Sequence, residues 1–365
     1  MTLKINCRAE VQYFLYEGNV TKKELIDVIK DSAINFPKKV IHDFRNASLK
    51  ELDDQCRIEL ASYITKEKLE ERKYFKSALV VSSKCNYGIL RAIKSYSSYN
   101  DLAIDKNIDA VYIATPHALH KENSLLCLNN GIAVLCEKPF AMNAEEVDEM
   151  ISCAKTNNTL LMEALWTSFL PHYQFAINRL KENTLGKLLK MEASFGFFRA
   201  FDNNSRLFNK SLGGGSLLDI GIYPIFAALS ILGTPQIIEA KATFFDNGAD
   251  SSCNIVFYYE NNITAHLRSS LLEDLPTEAI FYCEKGIIKI NKQFHCPSTV
   301  SIIIDDKEEL LDFDYNTIGY NFEIEHFNAL INQGKLESPI MSFEFSKELI
   351  AIIDDVRSKI KLKYQ

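Results

Sequence analysis

The segment Asp109-Ala-Val-Tyr-Ile-Ala-Thr115 is almost continuously apolar, as a strand buried on both faces of a parallel sheet should be. A second apolar run, Ala133-Val-Leu-Cys-Glu137, follows it after a segment of helical character. Such runs alternate with helix-cap patterns, of which Asn143-Ala-Glu-Glu146 is one, through the first 165 residues. This alternation predicts a parallel sheet covered by helices. The predicted strands are Val11–Tyr16, Lys39–Phe44, Ser77–Ser82, Ala110–Thr115, Ala133–Glu137 and Thr159–Glu163.

The pattern changes after about residue 186, where strand-like runs follow one another with few helices between them. Successive strands without crossover helices form an antiparallel sheet. The runs are Lys187–Phe198, Gln236–Phe245, Cys253–Tyr259, Ile263–Leu271, Thr277–Cys283, Gly286–Ile290 and Val300–Asp305. Helical patterns return at Asn321–Gln333 and Ser342–Ser358. The predicted fold class is therefore α/β plus α+β: a parallel sheet with covering helices, followed by an open antiparallel sheet domain.

The composition is that of a soluble globular protein, with 47% apolar and 24% charged residues. A net charge of -7 argues against a nucleic-acid partner, which would need a basic face. No apolar run reaches membrane-spanning length and the start lacks a signal-peptide core, so we expect neither secretion nor a membrane contact. The nine cysteines are scattered without a C-x-x-C pair, which favours reduced thiols in the cytoplasm over disulfides or a metal site.

Two loops at the edge of the parallel sheet are candidates for chemistry. Glu137-Lys138-Pro139 ends a buried strand at the edge where open α/β sheets bind ligands. Lys138 is well placed to touch a substrate there, although a solvated lysine at a strand exit fits the same pattern. The loop Thr115-Pro-His-Ala-Leu-His120 lies at the same edge, and its histidines are either site residues or ordinary loop residues.

Three consecutive glycines, Gly213–Gly215, are costly in chain entropy and suggest a backbone that something approaches closely. Asp219 and Tyr223 follow at i and i+4, so on a helix they share one face. An acid and a phenol on one helical turn are a plausible proton-handling pair. The alternative is a plain helix start in which the glycines form the turn and Asp219 pairs with a nearby cation.

Taken together, these segments resemble the Gfo/Idh/MocA (glucose-fructose oxidoreductase and inositol dehydrogenase) family, and most closely its dihydrodiol dehydrogenase-like branch. The resemblance covers about residues 96–357. It is carried by Asp109–His117, Val134–Phe140, Leu161–Trp166, Gly213–Tyr223 and Glu337–Met341. It implies that residues 96–165 complete a dinucleotide-binding domain and that 166–365 form an α+β domain for substrate binding and oligomerisation, including the C-terminal helices.

The activity that the resemblance implies is hydride transfer between NAD(P), with NADP favoured in this branch, and a secondary alcohol of a sugar, polyol or cyclic diol. Lys138 would contact substrate and nicotinamide ribose, Asp219 would orient the substrate, and Tyr223 would be the acid/base. Lys138 would also lower the pKa of Tyr223 from about 10. The implied cofactor contacts are Thr115, Pro116, His120, Glu137 and Lys138. Family members are often dimers or tetramers, so we expect a homo-oligomer formed through an apolar face of the open sheet.

The chain departs from the family in residues 1–95, an atypical α/β segment. Only Gly18 and Gly88 precede Gly131, so the G-x-G-x-x-G loop that cradles a dinucleotide pyrophosphate is absent. Residues 10–94 weakly resemble small STAS-like α/β domains, which leaves either a fusion or a divergent family half. We expect a βαβαβα unit without a phosphate-binding turn, and Lys84 is the first place to look for a substitute contact.

Two functional hypotheses follow. The first is a working NAD(P)-dependent oxidoreductase with an unusual phosphate site, which the retained Lys138, Asp219 and Tyr223 favour. The second is a catalytically inactive relative that acts as a binding or regulatory protein, which the missing glycine loop favours.

Overall fold

The computed structural model describes residues 2–8, 11–19, 21, 39–48, 76–80 and 98–364. Contacts divide the chain into two compact units, Met1–Ser98 and Tyr99–Gln365.

The N-terminal unit contains a four-stranded sheet in the order β1-β2-β3-β4. The strands are β1 (Thr2–Arg8), β2 (Val11–Asn19), β3 (Lys39–Ser48) and β4 (Lys76–Val80). β2, β3 and β4 pair in parallel, at the three places where the sequence predicts strands. β1 was not predicted; it pairs antiparallel with β2, with Thr2 opposite Glu17. The helices predicted between these strands, and the turn that contains Lys84, lie outside the described residues.

The second unit begins with a three-stranded parallel sheet in the order β5-β6-β7. Its strands are β5 (Ala110–Ile113), β6 (Ala133–Glu137) and β7 (Leu161–Ala164). Its helices are α1 (Tyr99–Ala103), α2 (His120–Leu128), α3 (Ala144–Thr156) and α4 (Pro171–Lys181). The cap expected at Asn143 is present, since its side chain accepts from the backbone N–H of Glu146 at 2.9 Å.

An eight-stranded sheet follows in the order β15-β14-β13-β12-β8-β11-β10-β9. The strands are β8 (Leu188–Gly196), β9 (Ile237–Phe244), β10 (Asp250–Tyr258), β11 (Thr264–Ser270), β12 (Ala279–Cys283), β13 (Gly286–Ile290), β14 (Val300–Ile304) and β15 (Lys307–Leu311). The sheet is largely antiparallel as predicted, but the central pair β8 and β11 is parallel. The remaining helices are α5 (Ile222–Leu232), α6 (Tyr320–Asn332) and α7 (Phe343–Ile360).

The two faces of this sheet differ in chemistry. Ala265 and Leu267 of β11 are buried on the face against which α5 packs, whereas His266 and Arg268 point outward and are exposed. The outward face was expected to be apolar, and this stays a prediction, since the face carries apolar residues such as Val256 and Ile280 beside charged ones such as Arg268. The two-residue period of the strands turns alternate side chains to this face.

The helical stretch Lys210–Leu232, which includes α5, is long and apolar enough by composition to cross a membrane. Of its most apolar window, 83% is buried inside the fold. This stretch is therefore the central core helix, and it carries two of the candidate site residues.

Candidate active site

Two neighbouring strands of the parallel sheet end at the candidate site. β5 leads to Thr115 and β6 to Lys138, and the carboxyl ends of parallel neighbours lie at one edge. His120 ties the two loops together, because its Nδ1 lies 2.8 Å from the carbonyl oxygen of Pro139 and its Nε2 lies 2.9 Å from that of Thr115. Both ring nitrogens of this fully buried residue are thus engaged. His120 holds the loops in place, and its direct contact with a cofactor stays a prediction.

Lys138 reaches from the end of β6 to Asp219. Its Nζ lies 2.5 Å from the backbone carbonyl oxygen of Asp219 and 3.6 Å from Oδ1 of its side chain. The same Oδ1 lies 3.2 Å from Nη1 of Arg206 and 3.6 Å from Nε2 of His117. Burial opposes the ionisation of Asp219, but Lys138 and Arg206 outweigh it and lower its pKa to about 2. Burial, with Lys138, lowers the pKa of His117 to about 3, so this histidine is neutral. Two cations therefore surround one carboxylate.

The three glycines are needed because atoms of the same chain approach them. A Cβ on Gly215 would lie 2.1 Å from Oδ1 of Asp250, and one on Gly213 would lie 2.9 Å from Cβ of His117. A Cβ on Gly214 would come within 2.7 Å of a backbone carbonyl oxygen. What approaches this backbone is therefore the protein itself, and the loop positions the residues that surround Asp219.

A buried carboxylate, Asp250, fixes the start of the helix that carries the site. Its Oδ2 accepts from the backbone N–H of Leu217 and from the hydroxyl of Ser216, each at 2.7 Å. Leu217–Gly221 then forms a single π-helical turn, a feature often found at functional sites, before α5 begins. Asp219 lies in this π-turn and Tyr223 in the first turn of α5, and both face Lys138.

Tyr223 is buried next to Lys138, whose Nζ lies 5.0 Å from the centre of the phenol ring. The indole N–H of Trp166 donates to the Tyr223 hydroxyl at 3.1 Å. The sequence predicted that Lys138 lowers the pKa of Tyr223, and this is wrong for the structure: burial, with Glu137, raises that pKa well above its usual value. The main reason is that the phenol is buried, which disfavours its charged form. Tyr223 is accordingly a neutral phenol.

Four rings surround this phenol, and we call them the aromatic wall: Phe195, Trp166, His295 and Tyr320. Phe195 and His295 lie 5.6 Å and 5.1 Å from the ring of Tyr223, between centroids. Trp166 stacks on Tyr320 at 4.3 Å. The wall shields the phenol from water.

Two acidic side chains, Glu137 and Glu323, also lie close to the site. Glu137 accepts a hydrogen bond from the Tyr112 hydroxyl and, at 3.1 Å, one from the backbone N–H of Lys138. Glu323 on α6 is only 1% exposed, and burial, with Glu137, raises its pKa to about 9. Glu323 is therefore protonated at neutral pH.

The structure brings the three predicted catalytic residues, Lys138, Asp219 and Tyr223, into one cluster. The predicted cofactor contacts follow the adjoining ends of β5 and β6. The sequence did not single out four residues that shape the site, namely Trp166, Arg206, Asp250 and His295. Arg206 lies in Ser205-Arg-Leu-Phe208, shortly before the three glycines. This proximity is the only sequence feature that could have indicated it.

Family models match most of the second unit. The model described as the oxidoreductase family with an NAD-binding Rossmann fold matches residues 73–165. The GFO/IDH/MocA C-terminal domain matches residues 173–289.

Curated relatives extend the match over three quarters of the chain. A trans-1,2-dihydrobenzene-1,2-diol dehydrogenase from Xenopus tropicalis is 35% identical over 281 residues, or 74% of this chain and 84% of the relative. The enzyme of the same name from Mus musculus is 33% identical, over 74% and 83% of the two chains. A scyllo-inositol 2-dehydrogenase (NADP(+)) from Bacillus subtilis is 34% identical, over 75% and 84%.

Solved structures show the same fold. An aldose-aldose oxidoreductase from Caulobacter crescentus, in complex with glycerol, superposes with a TM-score of 0.68 at 17% identity, covering 97% of this chain and 98% of the other. A 3-ketoreductase from Actinomadura kijaniata, in complex with TDP-benzene and NADP, gives a TM-score of 0.65 at 19% identity, covering 94% and 97%. The STAS-like resemblance finds no support in these matches.

Proposed function

The chain belongs to the Gfo/Idh/MocA family of oxidoreductases, and on that premise we propose that it uses NADP to interconvert a secondary alcohol and a ketone in a cyclic diol or polyol. The observation that carries the proposal is the cluster at the carboxyl edge of the parallel sheet. There Lys138 Nζ lies 3.6 Å from Asp219 Oδ1 and 5.0 Å from the Tyr223 ring. The comparisons do not favour the alternative of an inactive binding or regulatory relative, and the assembled cluster is likewise what an active site requires.

The described residues fit the nicotinamide half of the cofactor. The ends of β5 and β6 form the edge at which open α/β sheets bind ligands, and Thr115, Pro116, Glu137 and Lys138 lie there. These residues, with His120 holding their loops, would contact the nicotinamide and its ribose. Bound NAD(P) would supply or accept the hydride. Preference for NADP is supported by the relative named for that cofactor.

The proton is handled by Tyr223. Because the Trp166 N–H occupies one lone pair of the phenol oxygen, the phenolic hydrogen is left for the substrate oxygen. The neutral phenol donates this proton when a ketone is reduced, and receives it when an alcohol is oxidised. Lys138, fixed by its two contacts with Asp219, brings a positive charge to the oxygen on which negative charge develops.

The substrate class is supported by the aromatic wall together with the relatives' names. Flat apolar rings suit the face of a six-membered ring, while the Lys138 and Tyr223 groups suit its hydroxyls. A cyclic diol or a polyol ring has both kinds of surface.

We further propose that the protein is a cytoplasmic homo-oligomer. Six cysteines are free thiols within the described ranges, which suits a reducing compartment. The outward face of the eight-stranded sheet carries a depression of about 760 Å³ lined by Glu192, Asn254, His266 and Arg268, among others. Apolar residues such as Val256 and Ile280 also line it, and this mixture of apolar surface with charges of both signs suits a self-complementary interface. A mass near 41.6 kDa in light scattering at micromolar concentration would contradict self-association.

The function is tested by NADPH-dependent turnover of cyclic ketones and NADP-dependent oxidation of cyclic diols and inositols. Cofactor binding is measured separately by calorimetry and by quenching of Trp166, the chain's single tryptophan. We expect turnover with at least one cyclic diol or polyol. Cofactor binding without turnover of any member of the panel would refute the substrate class, and no binding of NADH or NADPH would refute the function itself.

A further inference from the structure

His295 lies beside the Tyr223 phenol with an unused polar atom. Its ring stacks on Phe195 at 4.1 Å between centroids and lies 5.1 Å from the ring of Tyr223. In the part of the chain that the structure describes, its buried Nδ1 has no hydrogen-bond partner. Folded proteins keep few buried polar groups without a partner, so each of them needs an explanation.

The position of His295 is set by the loop that carries it. The Thr167 hydroxyl donates to the carbonyl oxygen of His295 at 2.7 Å. Nε2 of His172 lies 3.1 Å from the carbonyl oxygen of Phe294, and the backbone N–H of Phe294 donates to the carbonyl oxygen of Thr277 at 3.1 Å. Neighbouring groups thus hold the backbone of this loop in place. These hydrogen bonds do not use the ring nitrogens of His295.

The ring is also neutral. Burial, together with the nearby Lys138 ammonium, lowers the pKa of His295 to about 3. A neutral imidazole offers one N–H donor and one nitrogen acceptor. Either nitrogen can bond a hydroxyl group, which both donates and accepts.

Packing alone does not account for a histidine at this place. The stack on Phe195 and the contact with Trp166, at 6.3 Å between centroids, need only an aromatic ring. A phenylalanine would provide both contacts without an unpaired nitrogen. The polar atoms of His295 therefore indicate a polar ligand group close to the phenol.

We propose that His295 hydrogen-bonds a second hydroxyl of the substrate, on the carbon next to the one whose hydroxyl Tyr223 serves, and so selects vicinal diols and polyols over simple alcohols. The inference rests on the proposed function, because it takes Tyr223 as the acid/base. It adds to that function a residue that binds the hydroxyl on the carbon next to the reacting one.

The test compares the binding of trans-1,2-cyclohexanediol and cyclohexanol, which differ by one hydroxyl, in the presence of NADP. Binding is followed by Trp166 fluorescence in the wild type and in His295→Phe, which keeps the ring stack and removes both nitrogens. We expect the wild type to prefer the diol by about tenfold and the variant to lose that preference, with cyclohexanol binding unchanged. Tyr258→Phe, which removes an exposed hydroxyl on β10, is the control and should keep the preference.

His295→Gln, which retains a donor and an acceptor, should keep part of the preference and serves as the second variant if His295→Phe does not fold. A diol preference that survives in His295→Phe overturns the inference, as does equal binding of the two compounds by the wild type. Diol-selective binding that depends on His295, but without NADP-dependent oxidation, supports the inference while refuting the proposed function.

Discussion

Tyr223→Phe removes the proposed proton donor and leaves the ring. A positioned general acid contributes about 10²–10⁴-fold to a rate, so we expect kcat for ketone reduction to fall by about a thousandfold, or about 4 kcal/mol at 1.36 kcal/mol per factor of ten. The ring contacts with Lys138 and Phe195 need no hydroxyl and stay. Trp166 loses its acceptor, and an unpaired buried N–H costs about 1–3 kcal/mol of unfolding free energy.

The assay follows NADPH absorbance during reduction of a cyclic ketone, between about pH 6 and pH 9, with thermal unfolding measured in parallel. Because the pKa of Tyr223 is raised well above 10, the phenol keeps its proton over this range. Its ionisation should therefore not limit the wild-type reduction rate there. The matched control is Tyr258→Phe, which removes an exposed hydroxyl bonded to Glu239 on β9.

The reasoning fails if Tyr223→Phe keeps kcat within about threefold of the wild type while folding normally. It also fails if Tyr258→Phe loses as much activity as Tyr223→Phe, because the effect would then not depend on the site. A lower melting temperature with full kcat would assign Tyr223 to stability through Trp166 alone.

Four further results are expected. Lys138→Met should lower kcat/KM by about tenfold to a hundredfold in initial-rate measurements, since a charge-assisted contact is worth about 1.5–3 kcal/mol, and unchanged rates would remove Lys138 from the mechanism. Gly215→Ala should lower the unfolding free energy by about 1–3 kcal/mol or more in denaturant titrations, because its Cβ would meet Asp250 Oδ1 at 2.1 Å at a backbone φ of +130°, and wild-type stability would contradict this close approach. Burial raises the pKa of Glu163 to about 7, so this group stabilises the fold below about pH 4.5 and the contribution is lost as the pH rises through 7. Glu163→Gln cannot ionise and should gain about 3 kcal/mol relative to the wild type between pH 4.5 and 8, whereas parallel stability curves would contradict the raised pKa. NADP should bind more weakly than about 10 μM by calorimetry, because the pyrophosphate loop is absent from the sequence, and tighter binding would show that other residues replace it.

The fold could be predicted where periodicity is strong. The run Asp109–Thr115 became β5, and the two-residue alternation of Ile263–Leu271 became β11, with Ala265 and Leu267 inside. β1 and β15 were missed because an edge strand is held by one neighbour, and its short sequence need not carry a buried face. The parallel pairing of β8 with β11 joins strands far apart in the sequence, and no local pattern records it.

The site could be predicted only as separate motifs. Lys138 and Asp219 belong to motifs with recognisable neighbours, and the sequence placed both near the site. Their contact, and the burial of the Tyr223 phenol, depend on tertiary packing, so the predicted pKa shift had the wrong direction. His295 is an isolated loop histidine in a segment without periodicity, so its place beside the phenol could not be inferred.

The proposed catalytic residues and the missing glycine loop belong to different parts of the chain, and this has a kinetic consequence. Every group that we assign to proton transfer or to substrate contact comes from the unit that begins at Tyr99. In the family, the glycine loop lies in the N-terminal segment and contacts the cofactor phosphates, which take no part in the bond changes. Its absence here should therefore affect only cofactor binding. Contacts that are equal in the ground and transition states alter KM and leave kcat unchanged. The departure from the family should therefore appear as a high KM for NADP with an ordinary kcat, and a low kcat at saturating cofactor would contradict this expectation.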